Sequence, residues 1–377
     1  MAPVILALKA EPWAEVRVLA TGQHRQMLDQ VLNFFGVAPD VDLNVMRPNQ
    51  ALAALTARLL MALDDALVAE KPDIVLAQGD TTTVMALALA CFYRGLPIGH
   101  VEAGLRTGDL RNPFPEEANR VIAGHLARWH FAPTEGARRH LLRAGVADSS
   151  VVVTGNTVID ALLMTAARDM DIGVALDPAK RLALVTAHRR ENFGEPFRDI
   201  CRALRTLAEN NPDVQFLYPV HPNPNVKDVA HALLGTIPNF ILSPPLDYAR
   251  FVAAMKRAHL ILTDSGGVQE EAPALGKPVL VLRDETERPE AVAQGVVKLV
   301  GPHYQRIVDE TQRLLDDSTA YRAMARGASP YGDGHAAERI VATLRDVFAA
   351  SPLAGRRSDA DRRRTASGDL SEEEKRR

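Results

Sequence analysis

Cysteine is scarce: Cys91 and Cys201 are the only two in 377 residues, both inside apolar stretches. Thiols so placed give neither a metal-ligand spacing nor a redox pair. A disulfide scaffold is excluded, and a reducing cytoplasm is the expected setting. Aromatics are few, at 5%. No basic stripe interleaves with them, which argues against a nucleic-acid surface. No apolar run is long enough to span a bilayer. The opening residues lack a basic start, an apolar stretch and a small-residue cleavage site, so no secretory leader is read. There is no Walker motif, no G-x-G-x-x-G and no G-x-S-x-G. His188 and His221 lack a third closely spaced ligand, so no metal site is expected.

Lys and Arg total 44, Asp and Glu 47, for a net charge of −3, and 47% of residues are hydrophobic. These are values of a globular protein long enough for two cores. Residues 356–377 differ. They hold eight basic and six acidic side chains and one aliphatic residue larger than alanine, Leu370. Such a segment buries too little surface to order itself, so 351–377 is read as a disordered charged tail.

The rest alternates. Apolar runs end in glycine or polar loops and are followed by helical patterns. "PDIVLAQGD" (72–80), "LPIGHVEAG", "WHFAPT" and "VVVTGN" (151–156) read as strands of one series. "RLALVTAHRREN", "VQFLYPVH", "NFILSPPL", "HLILTDSGG" and "KPVLVLRD" make a second. Continuously apolar strands alternating with helices predict parallel sheets covered on both faces. The fold class is therefore α/β, with two Rossmann-like doubly wound domains facing across a cleft. The expected units are 1–165, 166–334 and a C-terminal helix in 335–350. The opening residues predict a helix leading into the strand "EVRVLATG". A doubly wound domain opens with a strand, so a first strand and loop are expected to be missing.

Candidate sites cluster at strand ends. In "LTDSGGVQEEAP", Ser265, Gly266 and Gly267 join a strand to a helix start, where backbone N–H groups can hold a pyrophosphate. The plainer alternative is an ordinary tight turn. Glu270 or Glu271 would favour the helix dipole or accept ribose hydroxyls. Asp80, in "VLAQGDTTT", is either a helix N-cap or an acid/base group. Glu102 stands at the next strand end. Glu116 follows Pro115 at a helix start, and with Arg120 would make either a helix pair or part of a site. Three carboxylates on one side of one domain are hard to dismiss as structural. From the second series, His188 and His221 follow strands, with Arg189 and Arg190 beside His188. Arg288, in "RDETERPEA" (283–291), reads as a phosphate contact or a surface ion pair with Glu285, Glu287 and Glu290.

Taken together, "GQHRQML", "QGDTTT", "GHVEAGLRTGD", "PEEANR", "TGNTVIDAL", "HRRENFG", "YPVHPNPNV", "TDSGGVQEEAP" and "RDETERPEA" resemble the bacterial non-hydrolysing UDP-N-acetylglucosamine 2-epimerases, collinearly to about residue 345. The resemblance implies a glycosyltransferase-B-like fold, a homodimer, and a C-terminal helix returning to the first domain. It implies interconversion of UDP-GlcNAc and UDP-ManNAc for surface polysaccharides, by elimination and re-addition of UDP through 2-acetamidoglucal. No NAD, other cofactor or metal is implied. By motif match the catalytic set is Asp80, Glu102, Glu116 and His188. Ser265, Gly266 and Gly267 would hold the diphosphate, Glu271 the ribose, and Arg288 the phosphates or uridine end, with Phe251 near the uracil. Arg106 and Arg120 would hold the shape of the loop. Gln23, Gln26, Arg189 and His221 match an activating site for UDP-GlcNAc, without the arginine expected near Asn49. The family begins with a strand and a Gly-Thr-Arg-Pro-Glu loop, which this sequence lacks. The alternatives are a hydrolysing epimerase releasing UDP and ManNAc, a glycosyltransferase, or an inactive UDP-sugar-binding protein.

Overall fold

The computed structural model describes residues 1–22, 25–47, 50–327 and 329–349. The charged tail at 351–377 lies outside them.

Strands are numbered in chain order. β1 (Leu19–Ala20) pairs in parallel with β2 (Val41–Asp42). β3 (Val75–Gln78), β4 (Ile98–Val101), β5 (Trp129–Ala132) and β6 (Val151–Val153) form a parallel sheet in sequence order. The third sheet is also parallel. It contains β7 (Arg181–Thr186), β8 (Val214–Pro219), β9 (Phe240–Ser243), β10 (Leu260–Thr263), β11 (Val279–Val281) and β12 (Val297–Leu299).

The order of that sheet is β12-β11-β10-β7-β8-β9. Counted from its own first strand this is 6-5-4-1-2-3, the dinucleotide-fold order. The chain reverses direction across the sheet between β7 and β10. Loops leaving those two strands diverge there and open a crevice at their C-terminal ends.

Period two explains how β7 is buried on both faces. Ala183 and Val185 join one apolar cluster with Phe197, Leu204 and Phe216. Leu182 and Leu184 join another with Val252, Met255 and Val281. Helices Glu195–Asn210 and Tyr248–Arg257 supply the covering residues.

The predicted strand over "EVRVLATG" shrinks to the two residues of β1. β1 does not pair with β3. An apolar cavity of about 1390 Å³ separates them, lined among others by Leu19, Leu63, Leu67, Ile74, Leu76 and Phe348. A strand is held by neighbours on its edges, and among the described residues β1 pairs with β2 alone. The helix Ala2–Lys9 before it forms as its sequence suggests, with Pro3 in its first turn, where the lost N–H is harmless. The helix Ala336–Ala349 packs on Ala2–Lys9 and on Thr157–Ala166. Asp160 anchors it: its carboxylate accepts the Ala336 and Ala337 backbone N–H groups at 3.2 and 2.8 Å. Those two donors would otherwise be free at the helix start.

Candidate active site

The β7/β10 crevice carries one half of the site. His188 leaves the end of β7, two residues beyond Thr186. Buried Tyr218 donates to the carbonyl of Ala187 and fixes the chain just before it. Across the crevice, β10 runs through Asp264 into the helix Gly266–Ala274, whose N-cap is Ser265. The Ser265 side chain makes no capping bond. Gly267 is exposed, and a Cβ there would meet nothing within 4 Å. Gly266 differs: a Cβ would lie 3.2 Å from Cζ and Nη1 of Arg288. The absent side chain is what lets a guanidinium lie against the helix N-terminus. A cation and free backbone N–H groups at one point suit a phosphate.

Arg288 is held there by Glu270. Its Nε donates to Glu270 Oε1 at 2.8 Å, and Asn156 Nδ2 donates to Glu270 Oε2 at 2.9 Å. Of the two neighbouring glutamates, Glu270 is therefore committed to the arginine. Glu271 is 7% exposed. Burial, with the charge of Glu270 added, pushes its pKa up to about 8, and Tyr248 acts against this. Phe251 is half-buried on the helix Tyr248–Arg257, at the edge of the apolar cluster that covers the sheet.

The other half comes from the ends of β3 and β4. Glu102 follows β4 with φ of +61°, in the left-handed region that residues other than glycine rarely enter. Gln78 Nε2 donates to its Oε2 at 3.1 Å. Burial raises its pKa to about 7. Glu270 and Asp80 add to the rise, while Gln78 and Arg288 oppose it. These influences bring Glu102, Asp80, Glu270 and Arg288 into one electrostatic neighbourhood, drawn from both large sheets.

Asp80 is not an N-cap. Thr81 holds the N-cap position of the helix Thr82–Arg94, without a side-chain capping bond, and Asp80 Oδ2 accepts from Arg120 Nη2 at 2.6 Å and Nε at 2.9 Å. Arg120 thus pairs with Asp80 and with Glu117, at 3.1 Å, rather than with Glu116. Glu117 is 1% exposed. Its Oε1 accepts the Thr107 and Gly108 N–H groups, each at 3.1 Å. Arg106 donates to the Leu105 carbonyl at 2.7 Å. Arg106, Glu117 and Arg120 hold the loop between β4 and the helix Glu116–Leu126. Glu116, half-buried, is the first residue of that helix. Two further bonds meet at Glu290, and the first of them joins the halves built on the two large sheets. Thr134 Oγ1 donates to Glu290 Oε1 at 3.3 Å, and the Tyr331 hydroxyl donates to Glu290 Oε2 at 3.2 Å.

A family model described as UDP-N-acetylglucosamine 2-epimerase matches residues 6–345. The chain belongs to that family. It is 54% identical over 356 residues to the UDP-N-acetylglucosamine 2-epimerase of Escherichia coli K12, covering 92% of this chain and 95% of the relative. The Neisseria meningitidis UDP-GlcNAc 2-epimerase, solved bound to UDP-GlcNAc, superposes with a TM-score of 0.83 at 46% identity, covering 92% and 96%. A putative UDP-N-acetylglucosamine 2-epimerase from Listeria monocytogenes gives 0.87 at 45%, covering 93% of each chain. The glycotransferase of kitacinnamycin matches at 14% identity with a TM-score of 0.61, a likeness of fold alone. The α/β architecture of paired parallel sheets is thus glycosyltransferase-B-like.

His188 and His221 stack, with ring centroids 5.4 Å apart and planes 10° from parallel. His221 and Arg189 are both exposed. Of the other residues expected at an activating site, Gln23 lies outside the described residues. Gln26 is on the helix Arg25–Phe35, with its side chain outside the description. Among the described residues, no group of three His, Cys, Asp or Glu is placed to hold a metal, and no helix is long and apolar enough to cross a membrane. Gln78, Asn156 and Asp264 are the residues here that sequence reading left without a role, and Glu270, read for the helix dipole or the ribose, instead holds Arg288. Asp264 had a legible signal: like Asp80 and Glu102, it is a carboxylate just past an apolar strand.

Proposed function

We propose that this chain interconverts UDP-N-acetylglucosamine and UDP-N-acetylmannosamine without hydrolysis. The observation that carries the reading is the meeting of two chemistries. The Gly266 helix start and Arg288 offer a diphosphate site, and Glu102, at a pKa of about 7, lies within electrostatic reach of it. A carboxyl half-protonated at neutral pH serves equally as acid or base.

The reaction follows from that pairing. A base removes the C2 proton and the C1–O bond to UDP breaks. The C–H electron pair becomes the C1=C2 bond of 2-acetamidoglucal, and UDP leaves with the C1–O pair. Arg288, Ser265, Gly266 and Gly267 stabilise the charge developing on the diphosphate. UDP adds back at C1 as a proton returns to the opposite face of C2. Asp80, Glu102, Glu116 and His188 are the acid/base set, and the roles of the two faces are shared among them. Glu271 takes the ribose hydroxyls and Phe251 packs near the uracil. The route needs neither a redox cofactor nor a metal. The working enzyme is a cytoplasmic homodimer that supplies precursors for surface polysaccharide. His221 and Arg189 belong to an activating site for UDP-GlcNAc beside the first.

The test is product analysis. Purified protein is incubated with UDP-N-acetylglucosamine and the mixture is separated by anion-exchange chromatography. UDP-N-acetylmannosamine should appear while total nucleotide sugar is conserved. Equal amounts of UDP and free N-acetylmannosamine would contradict the proposal and favour a hydrolysing epimerase. Binding without conversion would favour a sugar-nucleotide-binding protein.

A further inference from the structure

Asp264 is wholly buried, at 0% exposure. Its own N–H donates to the Thr186 carbonyl at 3.0 Å, tying the end of β10 to the end of β7. Its two carboxylate oxygens are used very differently. Oδ2 accepts the backbone N–H groups of His188 and Arg189, each at 2.8 Å, and Asn192 Nδ2 at 3.3 Å. Oδ1 has no hydrogen-bond partner. It faces His188 Nδ1 at 3.7 Å.

Oδ2 alone accounts for anchoring the loop. A buried oxygen without a donor is uncommon and calls for a reason. Here the donor stands less than one ångström beyond hydrogen-bond reach, on a side chain that is only partly buried. Catalytic hydrogen bonds are often long before substrate arrives and shorten in the complex.

We propose that Asp264 is the positioning residue for His188: Oδ1 accepts Nδ1–H when the imidazole tilts inward over bound substrate, leaving the Nε2 lone pair toward the cleft as the atom that exchanges protons. The proposal rests on the reading of His188 as an acid/base group. It goes beyond that reading by fixing the tautomer and the reacting nitrogen.

The groups around His188 act on it in opposite directions, with the net effect downward. Burial lowers its pKa, as do stacked His221 and neighbouring Arg189, while Asp264 pulls the other way. At neutral pH the ring is then uncharged, and its tautomer matters.

Asp264→Asn separates anchoring from positioning. The amide oxygen still accepts the His188 and Arg189 N–H groups, so the loop keeps its anchor. The amide NH₂ takes the place of Oδ1 and donates to Nδ1, which forces the proton onto Nε2. The expected result is a fall in kcat of roughly 10²–10⁴-fold with KM changed little, as when an orienting carboxylate is lost from a His-based site. The pH-rate limb that His188 sets should move to lower pH, because the one group raising its pKa is gone.

A second measurement does not depend on the folding of Asp264→Asn. In ¹⁵N-histidine-labelled protein saturated with UDP, NMR should find neutral His188 protonated at Nδ1, with His188→Gln identifying the signal. An Nε2-protonated ring overturns the proposal. So does Asp264→Asn with kcat within about threefold of the parent and an unmoved pH limb. Full turnover by His188→Gln would remove His188 from the catalytic set. The tautomer would still report on the Asp264–His188 pair, so the two failures are distinguishable.

Discussion

Gly266 and Glu271 lie on one helix and face different demands. Gly266 is helical without a positive φ, so alanine suits its backbone. What alanine lacks is room, since its methyl would press on the Arg288 guanidinium at 3.2 Å. Gly266→Ala should therefore keep the thermal midpoint and lower kcat/KM for UDP-N-acetylglucosamine by about tenfold. Unchanged kinetics would separate Arg288 from the substrate. Glu271 links pH to stability. Its folded pKa of about 8 lies above the ordinary 4.5. Its contribution is thus fully present below about pH 4.5 and is lost as pH rises through about 8. Glu271→Gln should gain stability over the parent as pH climbs from about 5 to about 8, read from thermal midpoints across that range. A constant difference at all pH values would contradict the raised pKa.

At the scale of elements, the loop between β4 and the helix Glu116–Leu126 depends on a buried carboxylate. Glu117 satisfies two backbone donors and Arg120 at once, and Arg120 carries Asp80. A glutamine cannot accept at both ends. Glu117→Gln should cost about 1–3 kcal/mol by leaving a buried donor unpaired. It should also slow turnover, since Asp80 and Glu102 are held through the same loop. Differential scanning calorimetry and initial rates check both effects; a variant with the parent's stability would refute the clamp. The sequence made these elements readable because β3 to β11 are short apolar runs closed by glycine or polar residues. It did not reveal that Arg120 crosses to Asp80, because "PEEANR" offers a nearer partner at i−4 and the true one is 40 residues away. Nor did it distinguish Glu270 from Glu271. Adjacent identical side chains take different partners only once Arg288 and Tyr248 are packed around them.

At the scale of the molecule, the strand series announced two parallel sheets, and the motifs announced a glycine-bearing helix start after β10. The strand order did not follow from sequence. The switch between β7 and β10 comes from pairings between segments some 75 residues apart. That switch brings His188 opposite Ser265 and Asp264. β1 and β3 do not pair. Their separation leaves an apolar cavity of about 1390 Å³, and apolar surface not covered by protein takes up apolar dyes. Anilinonaphthalene sulfonate should bind the folded protein with enhanced, blue-shifted fluorescence, and less so after Ala77→Trp narrows the space. No enhancement in the parent would contradict an open cavity.

The central claim is that this chain breaks and remakes the C2–H bond of a nucleotide sugar. It is tested by incubating the protein with UDP-N-acetylglucosamine in D₂O and following the sugar by proton NMR. UDP-N-acetylmannosamine should carry deuterium at C2, with loss of the C2 proton signal from the recovered substrate as well. Epimer formed with its original proton retained at C2 would contradict proton exchange by side chains facing solvent-derived protons. A sugar that remains unlabelled and unconverted would contradict the claim itself.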